Sequence, residues 1–172
     1  MSFRYEKRIK RTMIFLEKNL SDIIVEELTT KKQSVAGLDV GDKVIGVSIS
    51  DTRIKIASPL LTLYRKNIEH DCKNIVEKLE AYDVGLVVFG WPIQTNGVSG
   101  QQCEKTLVFV EQLSKRTNVD LARWDERFST SVVDKIMVQA NMSRKRRKQV
   151  VDKIASVYIL QGAIDFLNRN MR

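Results

Sequence analysis

Among its 172 residues the chain has two cysteines, one histidine and no long run of apolar residues, and each scarcity removes a class of protein. Cys72 and Cys103 stand far apart, without the paired spacing of a zinc site or the density of a disulfide scaffold, which points to a reducing cytoplasm. His70 is alone, so a histidine-ligated zinc hydrolase and a Ser-His-Asp hydrolase both lack their parts, and its place early in a helical segment reads as surface. Behind the basic stretch Arg4 to Arg11, the apolar residues Met13 to Leu16 are stopped by Glu17, too soon for a signal-peptide core or a membrane span. No membrane partner is expected. Internal repeats and low-complexity linkers are missing as well.

What is present suits one globular core: 43% of residues are hydrophobic, and the length is that of a single domain. Positive charge is in excess, with a formal net charge of +8, and a polyanionic partner follows from it. Arg144, Lys145, Arg146, Arg147 and Lys148 form an unbroken basic run, read here as an exposed loop that would neutralise substrate phosphates and release their counterions. A solvated loop is the plainer alternative.

Residues 1–33 stand apart as a helical extension, because Leu16, Leu20, Ile24 and Leu28 recur at four-residue spacing. The domain proper takes residues 34–172. Val35 to Val40 and Val44 to Ser50 read as strands joined by a hairpin at Gly41-Asp42-Lys43, and a third strand at Arg53 to Leu63 contains Pro59, which suits an edge. Helical spacing predicts a crossover helix over Asn67 to Tyr82, and the apolar run Val84 to Phe89 predicts a central parallel strand. A helix from Gly100 to Thr117, a strand from Val119 to Trp124, a helix from Ser129 or Ser131 to Ala140 and a last helix from Gln149 to Asn168 complete a mixed α/β sheet with helices on its faces.

Acidic residues occur where a core would avoid them. Asp39 lies near the carboxyl end of an otherwise apolar strand, so its carboxylate must be hydrogen-bonded, paired or metal-bound, a hairpin cap being the structural alternative. Asp125 and Glu126 follow the strand ending at Trp124, at the carboxyl end where open α/β sheets place their sites. Neighbours on an extended chain point opposite ways, so only one of them reaches the site of Asp39; Glu126 is favoured, with Arg127 holding the other. Asp152 opens the last helix on the face of Ala155, Ser156 and Ile159, either as a site residue or as a charge favouring the helix amino terminus. Carboxylates without histidine or cysteine suit Mg2+ or Mn2+, and such ions promote attack of water on a phosphodiester.

The residues also carry a family likeness. Gly37-Leu38-Asp39-Val40-Gly41 with Lys43 and Ile45-Gly46-Val47-Ser48, Ala57-Ser58-Pro59-Leu60, Val87-Val88-Phe89-Gly90-Trp91-Pro92, Trp124-Asp125-Glu126-Arg127-Phe128-Ser129-Thr130 and Val151-Asp152-Lys153-Ile154-Ala155-Ser156 follow one another in the order of the YqgF/RuvX family. The chain resembles that family over about residues 35–168. The resemblance implies a ribonuclease H-like fold with a mixed five-stranded sheet, a cytoplasmic location and processing of the 5′ end of pre-16S rRNA, with Holliday junction resolution as the older assignment. It implies Asp39, Glu126 and Asp152 as catalytic and metal-binding acids, with Asp125 and Asp42 as possible further acids. Asp42 stands where the family usually has threonine or serine, and its extra charge would either bind metal or repel phosphate.

Lys43, Arg127, the run from Arg144 to Lys148 and Trp91 are the expected nucleic-acid contacts; the ring of Trp91 either projects over the cleft to stack on a base or packs under the loop ending at Gly97. Pre-rRNA and branched DNA both stay open as substrates, a ribosomal precursor particle is a candidate partner, and monomer and homodimer are not distinguished. Two rivals remain. An actin-like phosphotransferase would need a second domain that this length does not hold, and a binding factor that cleaves nothing would retain its function without Asp39.

Overall fold

Residues Val25–Thr30 form α1, the first element of the computed structural model, which describes residues 25–92, 101–125 and 144–169, with side chains from 27 in the first stretch and from 154 in the last. Leu28 is buried against the sheet, whereas Leu16, Leu20 and Ile24 of the expected amphipathic extension lie outside the described residues. The apolar runs on either side of Gly41-Asp42-Lys43 become β1, Ser34–Val40, and β2, Val44–Ser50, antiparallel with Asp39 opposite Gly46. Gly41 N–H donates to the Val44 carbonyl at 3.0 Å and closes the hairpin. β3, Ala57–Tyr64, pairs antiparallel with β2 at the sheet edge, where Pro59 is tolerated because it has no N–H to give to a ladder.

The helix α2, Ile68–Ala81, starts where the Asn67 side chain accepts the His70 N–H at 2.9 Å. It leads into β4, Val84–Trp91, parallel to β1 and buried along most of its length, as its continuous apolar sequence requires. After α3, Gln101–Ser114, comes β5, Asp120–Asp125, parallel to β4, and then α4, Arg144–Arg169. The strand order β3-β2-β1-β4-β5, with β2 antiparallel to the central strands, gives the mixed five-stranded, helix-flanked sheet of a ribonuclease H-like fold. The expected helix from Ser129 or Ser131 to Ala140 lies outside the described residues.

One expectation is corrected. The last helix begins at Arg144, not Gln149, so Arg144, Lys145, Arg146, Arg147 and Lys148 are helical and do not form a loop. Lysine and arginine are good helix formers, and screening by water and salt weakens the repulsion between like charges enough for that propensity to prevail.

Strand alternation divides the core in two. Ala36, Leu38 and Val40 of β1 join Ile45, Val87, Phe89 and Leu121 in one cluster beneath α2 and α3, with Cys72, Ile75, Leu79, Phe109 and Leu113. Val35 faces the other way, joining Leu86, Val88 and Ala122 beneath α4, with Ile159, Leu160, Ala163, Ile164 and Leu167. That second face carries the candidate site.

Candidate active site at the carboxyl end of β1

Asp39 is partly buried and continues the row of Val35 and Gly37 on the α4 face. The surroundings explain how a helix comes so close. A Cβ on Gly37 would collide with Ser48 Oγ and lie 2.7 Å from Leu160 Cβ and 2.8 Å from the Ser156 carbonyl, so only glycine admits the helix backbone there. The Ser48 hydroxyl donates to that carbonyl at 2.7 Å and ties β2 to α4. Gly46, opposite Asp39, would carry its Cβ 3.2 Å from Ser156 Oγ and 3.7 Å from Asp39 Cβ.

These contacts also give the direction of α4. Gly37 meets Leu160 and Ser156, while Gly46, level with Asp39, meets Ser156, so the amino-terminal half of the helix lies toward the carboxyl end of β1. Asp152 sits one helical turn before Ser156, about 6 Å along the axis, at that same end. The topology therefore brings the positions of Asp39 and Asp152 to one edge of the sheet.

The remaining expected residues separate. Trp124 pairs with Gly90 and packs against Gly162 and Phe166 of α4, its ring 5.7 Å from that of Phe166, so it faces Asp39's side. Asp125, the next residue on the strand, belongs to the opposite face together with its partner Trp91. Asp125, expected as a possible further acid, thus does not share the face of Asp39. Glu126 and Arg127 lie outside the described residues. Trp91 packs against the α2/α3 cluster with its ring edge-on to Phe89 at 6.3 Å, which is core packing and not a position over Asp39. Asp42 is exposed and engaged by Lys105 of α3 at 2.8 Å, so its charge is met by a surface partner; Lys43 is exposed at the hairpin tip.

The sequence reading missed what stiffens this end. Asp71 is fully buried, and its carboxylate accepts from Arg65 Nε at 3.3 Å and from the Lys66 N–H at 3.1 Å, with His70 Nδ1 3.5 Å away. Arg65 also donates to the Gly41 carbonyl at 3.1 Å and lies over the Phe109 ring at 5.2 Å. A charged pair is costly to bury, and here its geometry fixes the hairpin that directly follows Asp39. Gln102 adds a bond of 2.8 Å to the Val40 carbonyl. The available signal was an aspartate between Ile68 and Cys72 on the buried side of α2, which helical spacing alone reads as a tolerated polar residue.

Among the described residues no three potential metal-binding side chains converge, and no helix is long and apolar enough to cross a membrane. The family model RuvX, described as Holliday junction resolvase, matches residues 33–166. The chain belongs to the RuvX family. A RuvX relative from Clostridium acetobutylicum is 44% identical over 131 residues, covering 76% of this chain and 97% of its own length. Another, from Ruegeria pomeroyi, is 41% identical over 138 residues, covering 80% and 89%. Both bear the name "Putative pre-16S rRNA nuclease". RuvX chains are nucleases, hydrolases of phosphodiester bonds, and the matched span holds Asp39, Glu126 and Asp152 while leaving out most of the amino-terminal extension.

Proposed function

We propose that this chain is a divalent-metal-dependent nuclease that trims the 5′ end of pre-16S rRNA in the cytoplasm, with Asp39, Glu126 and Asp152 as its acidic centre. The observation that carries the reading is the place of Asp39: partly buried at the carboxyl end of β1, opposite a glycine, and on the face to which α4 brings the position of Asp152. Names borne by relatives at 44% and 41% identity support the substrate. Asp125 belongs to the other face of the sheet, which is why Glu126 is taken as the third acid.

The donor set fits Mg2+ or Mn2+. It is made of carboxylate oxygens, the hard donors that these ions prefer. A bound divalent ion would supply the positive charge needed where water attacks a phosphodiester. The chain's own part is to hold the acids at one edge, with Gly37 and Ser48 fixing α4 and the Arg65–Asp71 pair fixing the hairpin. Lys43, Arg127 and the helical run from Arg144 to Lys148 would meet substrate phosphates, which position the strand without reading its sequence.

The test is cleavage of a pre-16S rRNA fragment with Mg2+, with Mn2+ and with chelator, by the native chain and by Asp39→Asn. Metal-dependent cutting that the variant loses while staying folded is the expected result. Equal cutting by Asp39→Asn would remove the acidic centre, and cutting in chelator would remove the metal. The family's description favours a second substrate, a four-way DNA junction, and the same assay with that junction ranks the two.

A further inference from the structure

Tyr64 is the most exposed large hydrophobic side chain among the described residues, at 74%. A single exposed tyrosine needs no explanation. Its position does. Tyr64 ends β3 opposite Val44, and two residues earlier Thr62 stands opposite Gly46, which is in turn opposite Asp39. Thr62 and Tyr64 therefore share the face of Asp39, and Tyr64 lies about 12 Å from it across two strand spacings and two residues.

Cations stand close to Tyr64 in sequence and register. Lys43 at the hairpin tip and Lys66 just beyond β3 are both exposed, and the Arg65 N–H donates to the Lys43 carbonyl at 3.0 Å, which holds the two segments side by side. Arg65 itself turns inward to Asp71, Gly41 and Phe109, and the Lys66 N–H is bound by Asp71 at 3.1 Å. The segment bearing Tyr64 is thus clamped from below. Little conformational freedom is left to lose when something lies on the ring.

We propose that Tyr64, with the exposed Lys43 and Lys66 in the neighbouring segments, is a stacking platform for an unpaired base of an RNA strand, a few nucleotides from the bond cut at Asp39. An aromatic face near a cationic surface is the recurring solution for holding single strands: the ring takes any base, and the cations follow the backbone. The strand so held would cross the edge of β3 before reaching the acids. This rests on the nuclease reading for its ligand, and on exposure, register and charge for its place.

Binding measured in chelator, where cleavage does not intervene, tests it. Fluorescence anisotropy of a short labelled single-stranded RNA and of a blunt RNA duplex would be followed for the native chain, Tyr64→Ala, Tyr64→Leu and Tyr64→Phe. Removing the ring should weaken single-strand binding about tenfold or more, equally in the alanine and leucine variants, with phenylalanine near native and the duplex little affected. Alanine and leucine variants that bind the single strand as the native chain does would overturn the platform, as would an equal loss for both RNAs. The leucine variant guards against a loss of edge packing, because it keeps bulk without a ring. A native chain that binds RNA through Tyr64 yet cuts nothing would leave the platform standing and remove the catalytic reading; one that binds no RNA would remove the platform.

Discussion

The two faces of the sheet are built by different means. Under α2 and α3 the packing is bulk: Phe89, Phe109, Leu38, Ile75, Leu79 and Leu113 are fully buried, and their volume holds the layers together. Under α4 the sheet offers Gly37, Gly46, Ser48 and Asp39, and the helix is admitted by missing side chains and tied by a hydroxyl-to-carbonyl bond. One face is a conventional core. The other keeps apolar bulk at Leu86, Val88, Leu160 and Ile164 but gives it up around Gly37 and Gly46, where a helix backbone, and the acid it carries, comes close to a strand. The stretch without bulk marks where position matters more than stability.

Phe109→Ala should give the largest effect on the bulk-packed side. The ring is wholly buried and supports the Arg65 guanidinium, so its loss should cost about 3–5 kcal/mol in urea unfolding. Nuclease activity per folded molecule should fall little, since the ring lies on the face away from Asp39. Activity that disappears while the variant is still folded would break the contrast between the faces.

Gly37→Ala sharpens the contrast from the other side. Two of the three atoms its Cβ would meet, at 2.7 and 2.8 Å, are Leu160 Cβ and the Ser156 carbonyl, neither the end of a flexible side chain. The helix has to move, at a cost of about 1–3 kcal/mol, and the position of Asp152 moves with it. Activity should therefore fall further than the unfolded fraction explains. Gly162→Ala is the milder comparison: its Cβ would press on the Trp124 ring at 3.2 Å, which must give by a few tenths of an ångström, while helix propensity rises, so stability and activity should fall less than in Gly37→Ala. Equal behaviour of the two variants would show that close approach at Gly37 does not set the site.

How much of this could be read from sequence follows the same division. Most elements were legible because the strands are short apolar runs and the helices keep their period; β4 runs two residues beyond the expected Phe89, whereas β3 starts at Ala57 and not at Arg53, because Ile54 is left-handed in the turn before it. Asp39 was legible as an acid inside an apolar strand. The start of α4 was not, because a basic run is compatible with both a loop and a helix, and only the tertiary setting decides. Trp91 was left between cleft and core, and only the register Trp91–Asp125 puts both residues on the side of the sheet away from Asp39. The Arg65–Asp71–Gly41 clamp joins residues from three elements, and no local pattern encodes such a meeting.

The smallest effect expected concerns the far end of α4, where polar bonds fasten the helix to the turn between β2 and β3. Gln161 accepts the Ala57 N–H at 2.8 Å and Asn168 donates to the Ile54 carbonyl at 2.9 Å, so the turn is part of the helix seat. Ile54 is fully buried there with φ of 52°, a left-handed conformation that a β-branched residue resists. Asp51 holds it: its carboxylate accepts the N–H groups of Lys55 at 2.7 Å and Ile56 at 3.0 Å. Burial pushes the Asp51 carboxyl upward, but those two N–H groups and the charge of Arg53 outweigh it and hold the group below its ordinary value. Because the folded value is the lower one, this stabilisation is present above the ordinary carboxylate value and is lost as pH falls through the depressed one. Asp51→Ala should cost about 1 kcal/mol at neutral pH, and the gap between native and variant urea midpoints should close as the solution is acidified through that window. A gap that stays constant down to the acid limit would mean that the turn is held by Ile54 packing and the Gln161 and Asn168 bonds, and not by the Asp51 carboxylate.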